Sequence, residues 1–156
     1  RELDRANRAL SIELAERTRI EHDLKQTTER LSLILESLPV VSFTCSASAD
    51  LTMTFVSSTV EEITGYKPQE FVDNPTFWQD RLHPDERRKV LADMRVGLRT
   101  GTHTCSYRFR VADGSYKVFS DYRRIIRLPD RSRNRVIGAW RNVTEEMMMR
   151  QEAELQ

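Results

Sequence analysis

The sequence predicts an α+β fold: a five-stranded antiparallel sheet with short helices on one face, entered through a long helix and left through the start of another. Three observations carry this. Residues 1–38 contain no Gly or Pro and place leucine on a seven-residue register. Between residues 39 and 143, alternating runs come as two, then a helix-forming stretch, then three, the order of an α+β domain. From Thr144 the composition turns helical again. We therefore divide the chain into an N-terminal helical linker (1–38), a globular domain (39–143) and an outgoing helix (144–156).

Composition narrows the function. The 156 residues carry 25 Lys+Arg against 24 Asp+Glu, a formal net charge of +1. The domain itself holds the basic excess, yet it lacks the strongly basic stripe of a nucleic-acid binder. No apolar run reaches the roughly 18–20 residues that cross a bilayer, and the sequence shows no short apolar signal segment behind a basic start. We expect no membrane contact by this segment and a cytoplasmic setting, compatible with a membrane anchor elsewhere in the parent. Starting at Arg1 and ending in helix, the sequence is expected to be a piece of a longer protein. Cys45 and Cys105 are too few for a disulfide scaffold and lack metal-site spacing.

Taken in order, the incoming helix is the first element. Leu3, Leu10, Leu24, Leu31 and Leu38 share one register, with Arg17 in the missing slot, and Ala6, Ile20, Thr27 and Ile34 hold a second seam that Glu13 interrupts. Such a 3,4 spacing predicts a parallel homodimeric coiled coil; the plainer alternative is a solvated surface helix. Pro39 stops the helix. Val41, Phe43 and Cys45 alternate with Ser42 and Thr44 as a half-buried strand, and Met53 to Val56 follow Asp50 as its hairpin partner. Residues 58–80, with Gly65, Pro68 and Pro75, predict short helices around Val60, Ile63, Phe71 and Trp78. Pro84 opens a helix to about Thr100, its apolar face made by Val90, Leu91, Met94 and Leu98, and Gly101 ends it. Strands follow over Thr102–Val111, Tyr116–Leu128 and Arg135–Val143, the first two joined by Asp113-Gly114. Thr144 is the expected N-cap of the outgoing helix, with Glu145 and Glu146 in its first turn.

Four ordered blocks resemble a known family. Ile63-Thr64-Gly65-Tyr66 with Pro68 and Glu70, Leu82-His83-Pro84-Asp85-Glu86-Arg87, Tyr107-Arg108-Phe109-Arg110 with Asp113-Gly114-Ser115-Tyr116, and Ile137-Gly138 with Asn142-Val143-Thr144-Glu145 are similar to the signature blocks of PAS sensory domains, in the branch with a His-Pro-Asp turn. The likeness spans residues 31–146. It implies a sensor and relay in a signal-transduction protein, with a small interior cavity and an outgoing helix that passes a change to an effector in the same chain. That effector is expected to be a histidine kinase of a two-component system, with a diguanylate cyclase second and a ligand-free dimerising spacer third. Asn142 stands where the family usually has Asp, so a hydrogen bond replaces a salt bridge. The flavin-cysteine motif Asn-Cys-Arg-Phe is missing, which argues against that photochemistry.

The candidate residues follow from these readings. Phe43, Phe55, Met94, Leu98, Tyr107, Phe109 and Trp140 are the expected lining of a small-molecule pocket, or else they simply fill the core. Its cofactor is open: none is the first choice, with haem or flavin as alternatives. Asn142 and Thr144 are the expected relay. No catalytic constellation or metal set is visible, and His83 is expected to serve its turn structurally, with His103 packed in the core. Arg123, Arg124, Arg127, Arg131, Arg133 and Arg135 read as a solvated hairpin tip, not as a nucleic-acid site, because aromatic stacking residues do not interleave with them.

Overall fold

Pro39 ends the incoming helix where the sequence places the break. A computed structural model of the chain describes residues 1–47, 51–130 and 134–155. It divides into two units, Arg1–Ser37 and a second that begins at Leu38. The first is a single helix, α1 (Glu2–Ser37), of 36 residues, or roughly 54 Å at 1.5 Å per residue. None of its residues is buried. Leu3, Leu10, Leu24 and Leu31 are all more than half exposed, and Leu38 lies just past the helix end as the residue before proline.

The second unit is an α+β domain. Strands β1 (Val40–Ser46), β2 (Met53–Val56), β3 (Thr102–Arg110), β4 (Tyr116–Ile126) and β5 (Arg135–Asn142) form one antiparallel sheet in the order β2-β1-β5-β4-β3. The inserted helices are α2 (Thr59–Thr64), α3 (Pro68–Asp73), α4 (Phe77–Asp80) and α5 (Pro84–Leu98), and α6 (Thr144–Leu155) leaves after β5. Elements end a residue or two earlier than the sequence predicts: α5 at Leu98, β3 at Arg110, β4 at Ile126 and β5 at Asn142. Asp50, Arg131 and Arg133 lie outside the described residues.

One apolar cluster holds the domain together. Val41, Phe43 and Cys45 from β1, Phe109 from β3, Phe119 from β4, Val136 and Trp140 from β5, and Met94 and Leu98 from α5 are buried in it with Phe71, Phe77 and Trp78 from the short helices. The Trp140 ring lies 5.5 Å from Phe71 and 5.6 Å from Phe43, centroid to centroid. Gly65 closes α2 with φ +84, and a Cβ there would fall 2.6 Å from the Ala112 Cβ. Only glycine takes this left-handed turn without strain and lets α2 sit against the β3–β4 connection.

The hairpin of β1 and β2 departs from plain alternation. A register shift between Thr44 and Cys45 pairs Thr44 with Phe55 and Cys45 with Met53. Met53 and Val56 are therefore the inward residues of β2, while Phe55 is 50% exposed. Strict period-two counting puts Phe55 on the Met53 side; a bulge breaks that count.

Candidate functional site

Strand β4 carries two opposite charges on its inward face. Phe119, Asp121 and Arg123 alternate toward the core, and Asp121 and Arg123 are 1% and 0% exposed. This corrects the expectation for Arg123: strand parity sends it inside, while Arg124, Arg127 and Arg135 remain exposed. Its guanidinium donates from Nε to Asp121 Oδ1 at 3.0 Å and from Nη2 to Oδ2 at 3.1 Å. Tyr107 Oη donates to Asp121 Oδ2 at 2.7 Å, and Trp78 Nε1 donates to Tyr107 Oη at 3.2 Å. Arg123 Cζ sits 4.6 Å from the Phe43 ring centre and 4.5 Å from that of Trp78. Nη1 reaches Cys45 Sγ at 3.5 Å.

The electrostatics are self-contained. Burial works against a charged guanidinium, but the adjacent Asp121 carboxylate overrides it and holds Arg123 above its ordinary range. Burial, then the Asp121 charge, pushes Tyr107 well above the usual phenol range, so it stays a proton donor. Burial likewise raises the Cys45 thiol to about 11 and the Cys105 thiol to about 12, leaving neither activated as a nucleophile. Among the described residues no group of His, Cys, Asp and Glu is arranged to hold a metal ion.

From the same strand the chain reaches the outgoing helix. Pairing of β4 with β5 ends at Phe119 opposite Asn142. The next β4 residue, Val118, donates its N–H to Thr144 Oγ1 at 2.9 Å and accepts from the Val143 N–H at 2.8 Å. The start of α6 thus takes the place of one more strand pair. Asn142 Oδ1 accepts from the Thr144 N–H at 3.0 Å and from its hydroxyl at 2.6 Å. Thr144 is therefore not the N-cap: Val143 supplies the carbonyl that accepts from the Met147 N–H, and the Thr144 hydroxyl is spent across to β4. Arg141 pairs with Glu146 beside this junction.

A family profile described as the PAS fold matches residues 53–140. The chain belongs to the PAS fold family. A 65-residue stretch is 40% identical to the White collar 2 protein of Neurospora crassa, covering 41% of this chain and 12% of that protein. Over 129 residues it is 29% identical to the methyl sulfide methyltransferase-associated sensor of Methanosarcina acetivorans, covering 82% of this chain and 12% of that protein. The chain thus spans about 12% of the length of these curated relatives. Among solved structures, it is similar to the N-terminal domain of a diguanylate cyclase with PAS/PAC sensor from Marinobacter aquaeolei, with TM-score 0.60, 18% identity, and 69% of this chain and 98% of that one covered. It is also similar to a sensory box histidine kinase/response regulator from Burkholderia thailandensis, with TM-score 0.63, 21% identity, and 81% and 93% covered. At these identities the structural likeness shows the fold.

Within this PAS domain the signature blocks have structural duties. His83 Nδ1 accepts from the Asp85 N–H at 3.2 Å and caps α5, while its own N–H donates to the Arg108 carbonyl. His103 abuts α5, where a Cβ on Gly97 would meet its ring at 2.1 Å. Asp113 Oδ1 accepts from the Ser115 N–H and hydroxyl, shaping the turn before β4.

Of the expected pocket residues, Phe43, Met94, Leu98, Tyr107, Phe109 and Trp140 come together in the core, and Phe55 does not. Sequence reading passed over Asp121. The available signal was parity: Phe119, Asp121, Arg123 and Ile125 fall on one face of a strand whose ends are apolar.

No helix among the described residues is long and apolar enough to cross a membrane.

Proposed function

We propose that this PAS domain is a sensory module of a multidomain signalling protein, relaying a change in its interior through α6 to an effector in the same chain. The observation that carries the reading is the junction of Val118 with Val143 and Thr144. It ties the first turn of α6 to the strand that bears the buried Asp121–Arg123 pair. A small shift of β4 changes these bonds directly, which gives a two-state relay its physical element. The expected relay residues Asn142 and Thr144 both lie at this junction, which supports the reading.

The effector we propose is a histidine kinase, in keeping with the sensory box histidine kinase and the sensor among the similar proteins. Similarity to the diguanylate cyclase sensor domain supports a second reading. The leucine register of α1, more than half exposed in the single chain, supports dimerisation as a parallel coiled coil. A monomer by light scattering would remove that part.

The test uses the full-length protein. Thr144→Ala should abolish the dependence of effector output on the signal while leaving the domain folded, and Thr144→Ser should restore it. Normal switching in Thr144→Ala would overturn the relay. Formation of phosphohistidine or of cyclic dinucleotide decides between the two effectors.

A further inference from the structure

A groove opens between the end of α5 and the far end of the sheet, away from the α6 junction. Its volume is about 340 Å³, lined by Ala47, Leu51, Arg95, Leu98, Arg99, Ile125, Arg127 and Val136. That is room for on the order of ten water-sized groups at about 30 Å³ each, within the usual range of small-ligand sites. The lining divides cleanly by chemistry. Leu51, Leu98 and Val136 are buried and Ile125 is half-buried, which makes an apolar floor. Arg95, Arg99 and Arg127 are exposed and make a cationic rim, and no acidic side chain is among the described lining residues.

Two further features mark this place. Leu51 holds φ +52, a left-handed conformation that costs a leucine about 1–2 kcal/mol, yet its side chain is buried in the floor. Arg127 Nη2 donates to the Arg99 carbonyl at 2.9 Å, so two rim arginines from separate elements are held together. Arg99 and Arg127 form no ion pair with a described residue. The end of α5 contributes a partial negative charge of roughly half a unit. The Arg99 and Arg127 guanidinium groups outweigh it.

We infer that this groove binds a small organic anion, a carboxylate on an apolar body, with the body on Leu51, Leu98 and Ile125 and the carboxylate at Arg99 and Arg127. Guanidinium groups take carboxylates through paired, charge-assisted hydrogen bonds. The apolar floor rejects a bare inorganic anion, which would gain nothing from it. The inference deepens the sensory reading by naming its ligand class. Binding itself rests only on the groove.

The experiment is calorimetric titration of the chain with octanoate, 1-octanol and inorganic phosphate, alongside Arg99→Gln and Arg99→Gln/Arg127→Gln. Octanoate should bind saturably, and both 1-octanol and phosphate should bind at least about tenfold more weakly, the worth of a charge-assisted bond or of the buried chain. Arg99→Gln, which removes no side-chain bond to a described residue, should lose about tenfold in octanoate affinity with an unchanged melting temperature. Absence of saturable octanoate binding, equal binding of 1-octanol or phosphate, or full affinity in the double variant would each overturn the site. Adsorption to phosphatidylserine vesicles without octanoate binding would also overturn it, in favour of a membrane-facing patch. Octanoate binding that leaves output of the full-length protein unchanged would refute the relay and leave the site standing.

Discussion

The buried pair on β4 makes a quantitative prediction. Asp121→Asn keeps the shape of the side chain and removes its charge, stranding a guanidinium that is 0% exposed. Two unit charges about 3 Å apart attract by roughly 5 kcal/mol at an effective dielectric constant near 20. Breaking a buried pair on one side typically costs about 3–5 kcal/mol. The Phe43 and Trp78 rings, at 4.6 and 4.5 Å from the Arg123 Cζ, offset part of that through cation–π attraction, worth about 0.5–2 kcal/mol. We expect a net loss of about 3 kcal/mol, a large share of the roughly 5–15 kcal/mol that holds an ordinary domain. The melting temperature should fall by on the order of 10 °C.

Urea unfolding followed by Trp78 and Trp140 fluorescence reads this loss from the domain alone, since α1 contains no tryptophan. The double variant Asp121→Asn/Arg123→Met should be more stable than Asp121→Asn. It removes the stranded charge, and the amide carbonyl that replaces the carboxylate can still accept from Tyr107. A loss under about 1 kcal/mol in Asp121→Asn, or a double variant no more stable than that single one, would refute the view that the two charges hold each other in the core.

Three further outcomes are expected. Glu86 titrates below the ordinary glutamate range: partial burial opposes this, but its bonds to the Arg108 N–H and Nε prevail. Its contribution to stability is therefore present above the unfolded value, about 4.3, and is lost as pH falls through the lower folded value. Glu86→Gln should flatten the acid limb of a stability-versus-pH curve in that window, and an unaltered limb would exclude the pairing as its source. Neither cysteine should react with iodoacetamide at neutral pH in the folded chain, with thiols at about 11 and 12, and both should react in denaturant, as read by mass spectrometry. Gly138→Ala would set a Cβ 2.4 Å from the Tyr122 carbonyl oxygen and 2.6 Å from Phe43 Cζ, and should cost about 1–3 kcal/mol through overpacking. Wild-type stability there would mean that the Tyr122 carbonyl of β4 and the Phe43 ring of β1 lie farther from Gly138 than described.

The strands and the long helices were legible because each rests on a periodicity that local sequence fixes, and the signature blocks gave the family. Four places were not legible, for different reasons. Phe55 was lost to a bulge, which is set by how β1 and β2 pair and leaves no mark in β2 itself. Arg123 was lost to composition: it sits among arginines that do face solvent, so proximity suggested a charged tip where parity indicates the core. Likewise, Thr144 has the residue type of a cap, but its hydroxyl is claimed by Val118, 26 residues earlier in the chain. The basic groove brings α5 and the region after β4 together across a similar gap, with Arg99 and Arg127 joined by a bond that local patterning cannot foresee.

These features fall on one strand. Ile125 and Arg127, at or just past the end of β4, line the groove; Arg123 and Asp121 follow inside the core; Phe119 packs against Trp140; and Val118 bonds the start of α6. From Ile125 to Val118 is roughly 24 Å of extended chain at about 3.4 Å per residue. Paired on both sides, the strand is stiff along its length, and its buried ion pair is tied to other elements, Asp121 to Tyr107 of β3 and Arg123 to the rings of Phe43 and Trp78. A ligand drawing on Arg127 would therefore act on the rim, and a displacement of β4 would meet α6 at Thr144. Arg99→Gln should weaken the anion without touching the junction, whereas Thr144→Ala should break the junction with anion affinity intact. That pair of separable losses is what a linear relay requires, and a shared loss in either variant would point instead to general loosening of the domain.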